Sequence, residues 1–419
     1  MTLLYILFAL EVLLLLIDFK KGVLIFAPLK LFFNSNVHLL TSPSLGFDLA
    51  VCSVILLIYI VRYYQKWKYI KFPLSFVFIA YCLIYSFTCL YPSFVPSSIP
   101  RIVISVFVYS YIYFKCIQTR ADLKFAILSY VGFAIIMCGN GLLQWLFDIN
   151  PLDDYIQSIA DQDSAIFSEN DLSRFLNGKR VRSFIPHSIS YGVACVSILF
   201  LIITFALTAT KYLKPYIVTL ISTILLILGI MSCGSRTPII GLLPLLFFSK
   251  NIFRVIKKRF LSTIILIAVA LYFTYDYIAY SIESIINPTV AAEAGGSDIG
   301  LRLLQTTVTL NYFSQSPIFG NGIDFDMGKY TDDIAGGESV WFPLLAQSGL
   351  IGTLGYVFLY VGLYRLSIKM DSKWLAIGFI TSWLIMRTAT SLIGVGDSML
   401  LTIFFIIYKY DSFTKVVEK

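Results

Sequence analysis

ISYGVACVSILFLIITFALTA occupies residues 189–209, and YIVTLISTILLILGIMS occupies residues 216–232. Each stretch is almost entirely apolar and, as a helix rising about 1.5 Å per residue, covers most or all of a hydrocarbon core about 30 Å thick. Lipid offers backbone groups no hydrogen-bond partners, so such stretches must form helices or a closed barrel. Neither alternates as barrel strands do, so both are predicted to be membrane-spanning helices.

Stretches of this kind recur along the whole chain of 419 residues. The composition is 58% hydrophobic and 13% charged, with a mean hydropathy of +0.82, whereas soluble domains carry about 25% charged residues. A chain so poor in charge is dissolved mainly in lipid. The candidate spans are 3–17, 22–40, 47–61, 73–91, 102–114, 125–147, 189–209, 216–232, 239–248, 260–278, 341–364, 374–393 and 398–408.

This pattern predicts an all-α fold, a polytopic bundle of about 12–13 transmembrane helices in a single integral membrane domain over residues 1–419. Stretch 22–40 leaves alternatives open, because Pro28 and Lys30 interrupt it: it either crosses, re-enters or lies in the interface. Stretch 3–17 has neither a basic flank before it nor a small-residue cleavage site, and we interpret it as a retained span.

Basic residues concentrate in alternate short connections. Those at 62–71, 115–124 and 250–259 are basic, whereas those at 34–46 and 91–100 are nearly uncharged or neutral. Basic short loops stay in the cytoplasm. We call this side the basic face, and the C-terminus is predicted to lie there. The N-terminus lies on the opposite side if 22–40 crosses the membrane, and on the basic face if it does not.

Two long polar loops, 148–188 and 279–340, are predicted on the opposite side, which we call the loop face. They hold seven and eight of the chain's 24 acidic residues. The basic residues on this face are mostly Arg, whose planar fork binds phosphate or carboxylate through paired hydrogen bonds. We interpret the set as an outward-facing anionic site, the alternative being that each Arg pairs with a loop acid.

All seven Cys fall in or at the ends of apolar stretches, so the sequence predicts neither a disulfide framework nor a zinc site. No metal-ligand spacing is visible, and no cofactor is predicted. The net charge of +8 is explained by topology, so no nucleic-acid partner is predicted.

Two segments of the loop face carry groups suited to chemistry. RVRSFIPHSISYG (180–192) places Arg180, Arg182 and His187 at the membrane surface, where interfacial anchoring is the simpler role. SCGSRTP (232–238) places Arg236 in a very short turn near the lipid boundary, where charge is costly unless paired or hydrated.

A third segment runs through the second long loop, which is predicted to contain short helices. LRLLQTTVTLNYF (301–313) is predicted to be helical and carries Arg302, and the turn-rich SPIFGNGID (316–324) follows it. ESVWFPLLAQSGLIG (338–352) then leads into a span, with Glu338 at its mouth. For Glu338 the simpler role is that of one more loop acid.

These segments together resemble the O-antigen ligase and Wzy-type O-antigen polymerase superfamily. Arg302 with SPIFGNG is similar to the family's Arg…His-Pro-hydrophobic-hydrophobic-Gly-x-Gly segment, and GSRT (234–237) resembles its Ser-Arg turn. The 338–352 segment resembles its His-Asn-x-x-Leu…Glu-x-Gly-Leu-hydrophobic-Gly helix start. The resemblance covers mainly residues 180–360 and implies a GT-C-like helix bundle; the first spans match only as generic helices.

One departure from the family pattern bears on function. The ligases begin the helix-start motif with a His proposed as catalytic base, whereas this chain has Glu338 there, Ser339 for the Asn and Gln347 for the later Glu. The two His of the chain are His38 and His187. This difference argues against a lipid A-core ligase and for a repeat-unit polymerase.

The resemblance implies a membrane glycosyltransferase that polymerises undecaprenyl-diphosphate-linked oligosaccharides into O-antigen or capsular polysaccharide on the outer, periplasmic side of the bacterial cytoplasmic (inner) membrane. Arg side chains would neutralise the departing diphosphate, and a base would take the acceptor's proton. We assign Arg182, Arg236, Arg302 and, as a weaker fourth, Arg180 to the diphosphate, and Glu338 as base, with His187 as the alternative.

The expected partners are the lipid-linked donor and acceptor, membrane lipids and a chain-length regulator. Three alternatives stay open. An O-antigen ligase shares the motifs. A lipid-linked oligosaccharide flippase or other transporter would show repeats and midplane charges, but the intramembrane charges are few: Glu11, Lys30, Arg387 and Asp397. A peptidoglycan-type glycosyltransferase of the shape, elongation and division family shares the topology and carrier without matching loop motifs.

Overall fold

The protein, seen here as a computed structural model, is mostly helical. The structure describes residues 2–32, 37–41, 44–152, 180–185, 187–208, 216–248, 283, 287, 289, 299–326, 339–390 and 396–415. The predicted span 260–278, Glu338 and three aromatic residues of the first long loop, Tyr155, Phe167 and Phe175, lie outside these ranges.

The first part of the chain forms helices α1 (Thr2–Ile17), α2 (Phe19–Leu29), α3 (Phe47–Trp67), α4 (Ser75–Leu90), α5 (Ser98–Cys116) and α6 (Arg120–Phe147), with strands β1 (His38–Thr41) and β2 (Ser44–Gly46) between α2 and α3. The second part forms α7 (Ser188–Thr208), α8 (Tyr216–Ser232), α9 (Arg236–Phe248), α10 (Ile299–Gln315), α11 (Trp341–Ile368), α12 (Lys373–Ala389) and α13 (Asp397–Lys415).

The predicted all-α membrane fold is confirmed. Among the described residues, α3, α5, α6 and α11 are long and apolar enough to cross a membrane, and shorter apolar stretches lie in α1, α4, α7 and α8. The chain is therefore a polytopic helical membrane protein. Its total of 12–13 spans stays a prediction.

Stretch 22–40 is not the single helix that its apolar length suggested. Helix α2 is 11 residues long and ends at Leu29, after Pro28, which lacks a backbone N–H. The Lys30 ammonium then donates to the Ser105 carbonyl and lies 4.7 Å from the centre of the Tyr109 ring. The following chain forms the antiparallel β1–β2 hairpin. The helix therefore ends just after Pro28, and the charged Lys30 side chain is satisfied inside the bundle.

The loops predicted on the basic face lie together. The contacts that join them are Lys20 Nζ to Asp122 Oδ2 at 3.4 Å, Lys115 Nζ to the Trp67 carbonyl at 2.7 Å, Arg120 Nη2 to the Phe413 carbonyl at 2.9 Å, and Ser372 Oγ to Asp411 Oδ1 at 2.8 Å. The N-terminal part of α1 lies away from this face, because the Tyr5 hydroxyl donates to the Leu39 carbonyl of the hairpin at 3.1 Å.

The segments predicted on the loop face also contact one another. The ring of Phe32, just past α2, lies 4.7 Å from that of Phe184 in the first long loop. The chain from Lys20 to Phe32 thus runs from the basic face to the loop face, although only part of it is helical. In the second long loop, the Ile323 N–H donates to Ser93 Oγ at 3.0 Å, which ties this loop to the chain after α4.

Helices α7 and α13 form the centre of the bundle. Residues Val193, Ala194, Cys195 and Val196 of α7 are fully buried, and α7 packs against α6, α8, α9, α12 and α13. Close approach depends on small residues. A Cβ added to Gly229 of α8 would lie 2.8 Å from the Tyr191 hydroxyl of α7.

The side on which each face lies can be tested by cysteine labelling in spheroplasts. We expect Gln315→Cys, exposed at the end of α10, to react with an impermeant thiol reagent. Gln65→Cys, exposed among the basic residues in the last turns of α3, should react only after the membrane is opened. Native thiols give little background, because six of the seven are buried. Labelling of Gln65→Cys from outside would reverse the topology.

Candidate functional site

The segment 180–185, which leads towards α7, is fixed by side chains of α6. Gln144 Oε1 accepts hydrogen bonds from the backbone N–H groups of Arg182 and Ser183, at 3.1 and 2.9 Å. Asn140 Nδ2 donates to Ser183 Oγ at 3.0 Å. Ser183 adopts the left-handed conformation, with φ of +55°, so the chain bends sharply here. Arg182 is held largely buried on this scaffold, with 9% of its surface exposed.

The same segment contacts the end of α8 and the start of α9. The Val181 N–H donates to the Ser232 carbonyl at 3.1 Å, which satisfies one of the carbonyl groups left at the end of α8. Gly234, with φ of +60°, makes the turn that follows. Burial raises the pKa of the Cys233 thiol in this turn, and the nearby charge of Arg180 partly opposes that rise. Arg236 then opens α9, so the first two predicted segments are neighbours.

His187 has a structural contact that limits its chemistry. Its Nδ1 accepts the backbone N–H of Ile189 at 3.2 Å and so caps the start of α7. In the neutral ring, Nδ1 is then the acceptor and Nε2 carries the proton. If Nδ1 took a proton from a substrate, it could no longer accept the hydrogen bond that caps α7. His187 is therefore better placed to stabilise α7 than to act as a base.

Helix α10 brings Arg302 to the end of α12. Arg302 Nη2 donates to the Ala389 carbonyl at 3.1 Å. On the same helix, Gln305 and Thr309 are buried, whereas Leu303 and Leu310 are more than half exposed. Leu303 and Leu310 share the exposed side of the helix with Thr307 and Asn311. Arg302 therefore lies at the boundary between the bundle and an outer surface that carries both leucines and polar residues.

The turn-rich segment 316–322 has a structural role. Helix α11 is broken at Gly349, with φ of +57°, and the turn supplies the hydrogen bonds that the break removes. The Asn321 and Gly322 N–H groups donate to the Ala346 and Gln347 carbonyls at 2.9 and 3.0 Å. In return, the Leu350 and Ile351 N–H groups donate to the Pro317 and Ile318 carbonyls at 2.9 and 3.2 Å. This interlock holds α10 against α11.

Replacing Gly349 by Ala should disrupt the interlock. The added Cβ would lie 2.6 Å from the Gly320 nitrogen, and the positive φ disfavours any other residue. We expect a loss of about 1–3 kcal/mol in stability, seen as a lower unfolding temperature of the purified protein. Gly139→Ala is the control, because a Cβ there meets nothing within 4 Å. Equal unfolding temperatures for the two variants would contradict this role.

The end of α12 is where the second long loop and the start of α11 meet. The Arg387 carbonyl accepts the N–H of Val340 at 3.1 Å, and the Trp341 indole donates to Thr388 Oγ1 at 2.9 Å. Together with the bond from Arg302 to Ala389, these contacts gather three segments at one helix end. Glu338 itself lies outside the described residues, but Ser339 and Val340 directly after it are at this point.

Helix α9 links the two arginine-bearing regions. Pro238, in the first turn of α9, packs so closely on Gly192 of α7 that a Cβ added to Gly192 would overlap the proline ring. One turn further, Gly241 packs in the same way on Met386 of α12, and its carbonyl accepts the Ser382 hydroxyl. Arg236 at the start of α9 thus lies between the 180–185 segment and the end of α12. Arg236 and Arg302 lie in the first turns of α9 and α10, and Arg180 and Arg182 lie in the segment that leads towards α7.

The position of Arg387 differs from the predicted one in one respect. The sequence predicted a span to residue 393 with Arg387 inside it, whereas α12 ends at Ala389. Val340 and Arg302 bond to the Arg387 and Ala389 carbonyl groups at this end. Arg387 is therefore in the last turn, where a cation is favoured by the helix dipole. The sequence did contain a signal for this helix end, because a basic residue near the end of a predicted span is typical of the last turn of a helix.

Among the described residues, no group of three or more His, Cys, Asp or Glu is arranged to hold a metal ion. In the first long loop, the aromatic residues Tyr155, Phe167 and Phe175 are candidates to line a sugar-binding groove. They lie outside the described ranges, so this role stays a prediction.

Comparison with protein families supports the resemblance. Residues 221–357 match the family model described as O-Antigen ligase, Wzy_C. This match is consistent with the superfamily of O-antigen ligases and Wzy-type polymerases. The matched segment runs from α8 to the middle of α11 and contains Arg236, Arg302 and the turn at 316–322. Members of this family are membrane glycosyltransferase-like enzymes, ligases and polymerases. Arg180, Arg182 and His187 precede the matched segment. No curated protein matches the chain.

Proposed function

We propose that this protein polymerises polyprenyl-diphosphate-linked oligosaccharide repeat units at its loop face, on the outer side of the bacterial cytoplasmic membrane. The bond between the donor sugar's anomeric carbon and its diphosphate breaks, and a bond from that carbon to an acceptor hydroxyl oxygen forms. The diphosphate leaves as an anion, and the acceptor's proton passes to a protein base.

The observation that carries the proposal is the position of Arg302. Its guanidinium is held at the end of α12, while the other side of α10 exposes leucines. A polyprenyl diphosphate has an apolar tail and a doubly charged head, so its binding site needs cations at a lipid boundary. Arg236, at the start of the neighbouring α9, adds a second cation at the same end of the bundle.

The arginines would act on the leaving group. Guanidinium groups grip phosphate oxygens through two parallel hydrogen bonds, and preorganised donors of this kind stabilise charge that develops in the transition state. In this proposal Arg182, Arg236 and Arg302 contact the diphosphate, with Arg180 alongside. Glu338 is the base, since the residues after it lie beside Arg387 and the Ala389 carbonyl that holds Arg302.

Polymerisation is favoured over ligation by where the histidines lie. The ligase motif places a His at the start of α11, where this chain has Glu338. Of the two histidines, His187 caps α7 and His38 lies in strand β1 of the hairpin. Neither occupies the helix start at which the proposed transfer takes place.

Polymerase, ligase and flippase activities can be distinguished by the products that they form. Purified protein should be given a labelled lipid-linked repeat unit, with and without lipid A-core as acceptor. A polymerase yields a ladder of multiples of the repeat unit in both cases. A ligase yields label on lipid A-core and no ladder without it, and a flippase leaves the unit unchanged in length. Label on lipid A-core alone would replace the proposal by the ligase activity.

A further inference from the structure

Arg387 is held by a hydrogen bond close to the point that Arg302 reaches. Its Nε donates to the Tyr356 hydroxyl at 3.2 Å. Arg387 lies two residues before Ala389, whose carbonyl accepts Arg302 Nη2. The two guanidinium groups thus come from different segments, one in the last turn of α12 and the other on helix α10, and both lie at one helix end.

The Tyr356 hydroxyl is itself fixed from several sides. It lies 3.4 Å from Asp397 Oδ1, to which it donates, and 3.1 Å from the Tyr360 hydroxyl. The Trp341 ring packs edge-on against the Tyr356 ring, with centres 5.9 Å apart. Tyr356 is buried, with 2% of its surface exposed. Because Tyr356 is held in this way, its hydroxyl fixes the orientation of the Arg387 guanidinium group.

The local charge favours an anion. Among the described residues at this helix end are two guanidinium groups, Arg302 and Arg387, and one carboxylate, Asp397. The carboxylate reaches Arg387 through the Tyr356 hydroxyl. Bringing two cations to one place is favourable when an anion neutralises them, and Arg forks match phosphate oxygens in pairs.

We propose that Arg387 is a further diphosphate-binding residue, and that Tyr356, supported by Asp397, is the residue that positions it. This inference rests on the proposed function, because it assigns Arg387 to the same leaving group that Arg302 contacts. Arg302 would approach the diphosphate from helix α10 and Arg387 from the bundle. The structural alternative is that Arg387 only ties α12 to α11 through Tyr356.

The test measures binding of farnesyl diphosphate and farnesyl monophosphate to purified protein. The variants are Arg387→Lys, Tyr356→Phe and a matched control, Tyr364→Phe. Tyr364 also joins α11 to α12, through a hydroxyl bond of 2.8 Å to Thr381, but lies two turns further from the loop face. Both phenylalanine variants therefore remove a tyrosine hydroxyl that joins α11 to α12, but only Tyr356→Phe removes a partner of Arg387.

We expect wild type to prefer the diphosphate. Arg387→Lys should weaken diphosphate binding by about tenfold or more, as expected for a lost bidentate charge-assisted contact. Tyr356→Phe should weaken it by a smaller factor, and both should lower the preference for diphosphate over monophosphate. Tyr364→Phe should leave that preference at the wild-type value.

Wild-type preference in a folded Arg387→Lys protein would overturn the inference and leave the proposed function standing. An equal loss of preference in Tyr356→Phe and Tyr364→Phe would also overturn it, because helix association alone would then explain the effect. Failure of the wild-type protein to bind either lipid would instead remove the substrate class on which the proposed function rests.

Discussion

Replacing Arg236 or Arg302 by lysine is expected to lower the rate of polymerisation about a hundredfold. Most polymer is then lost, while the protein level stays normal. Lysine keeps the positive charge but presents it as a point, without the planar fork that grips two phosphate oxygens. Removing one preorganised donor to a developing anion costs about this much in other enzymes. The measurement is polymer length and amount in cells, together with the rate of purified protein on a lipid-linked repeat unit.

The control for this pair is Arg101→Lys. Arg101 is exposed at the start of α5, on the side of the bundle predicted to be the loop face, and lies outside the proposed site. Its lysine variant should make wild-type polymer. If Arg236→Lys and Arg302→Lys also make full-length polymer, these residues are surface charges and the diphosphate site lies elsewhere.

Glu338→Gln is expected to lower the rate by about a hundredfold or more, the usual share of general base catalysis. Glutamine keeps the size and most hydrogen bonding of the side chain but cannot take a proton from the acceptor hydroxyl. The competing role for Glu338 is to stabilise the start of α11 through the helix dipole, which is worth about 1 kcal/mol or less. That role predicts nearly normal polymer, so the rate of the purified variant separates the two.

His187→Ala is the companion to that experiment. Because Nδ1 of His187 caps α7, we expect this variant to lower the unfolding temperature and to keep the wild-type rate per folded molecule. The reverse result, with Glu338→Gln active and His187→Ala folded but inactive, would make His187 the base.

The spans could be predicted from apolar length because lipid leaves the backbone few choices. The ends of two helices were less predictable. The helical part of 22–40 ends at Leu29, and Lys30 then bonds to the Ser105 carbonyl, whereas the Ala389 and Arg387 carbonyls at the end of α12 accept Arg302 and Val340. These hydrogen-bond partners are distant in sequence, so no local sequence pattern predicts them.

The site was predictable in part. A short turn identified Arg236, and a predicted helix before the turn-rich segment identified Arg302; the structure places both in the first turns of packed helices. The interlock between the turn at 316–322 and the break at Gly349 was not predictable, because it depends on backbone groups that any sequence carries. The same holds for Arg387, whose place follows from the Tyr356 hydroxyl and not from its neighbours in sequence.

The central claim is that glycan transfer is driven by departure of a polyprenyl diphosphate. The most direct measurement gives purified protein a doubly labelled lipid-linked repeat unit, without ATP or an ion gradient, and counts both new glycosidic bonds and freed polyprenyl diphosphate. We expect one diphosphate released for each bond formed, and both products to form about a hundredfold more slowly with Arg302→Lys. Longer glycan without matching release of polyprenyl diphosphate, or a repeat unit that never lengthens, would contradict it.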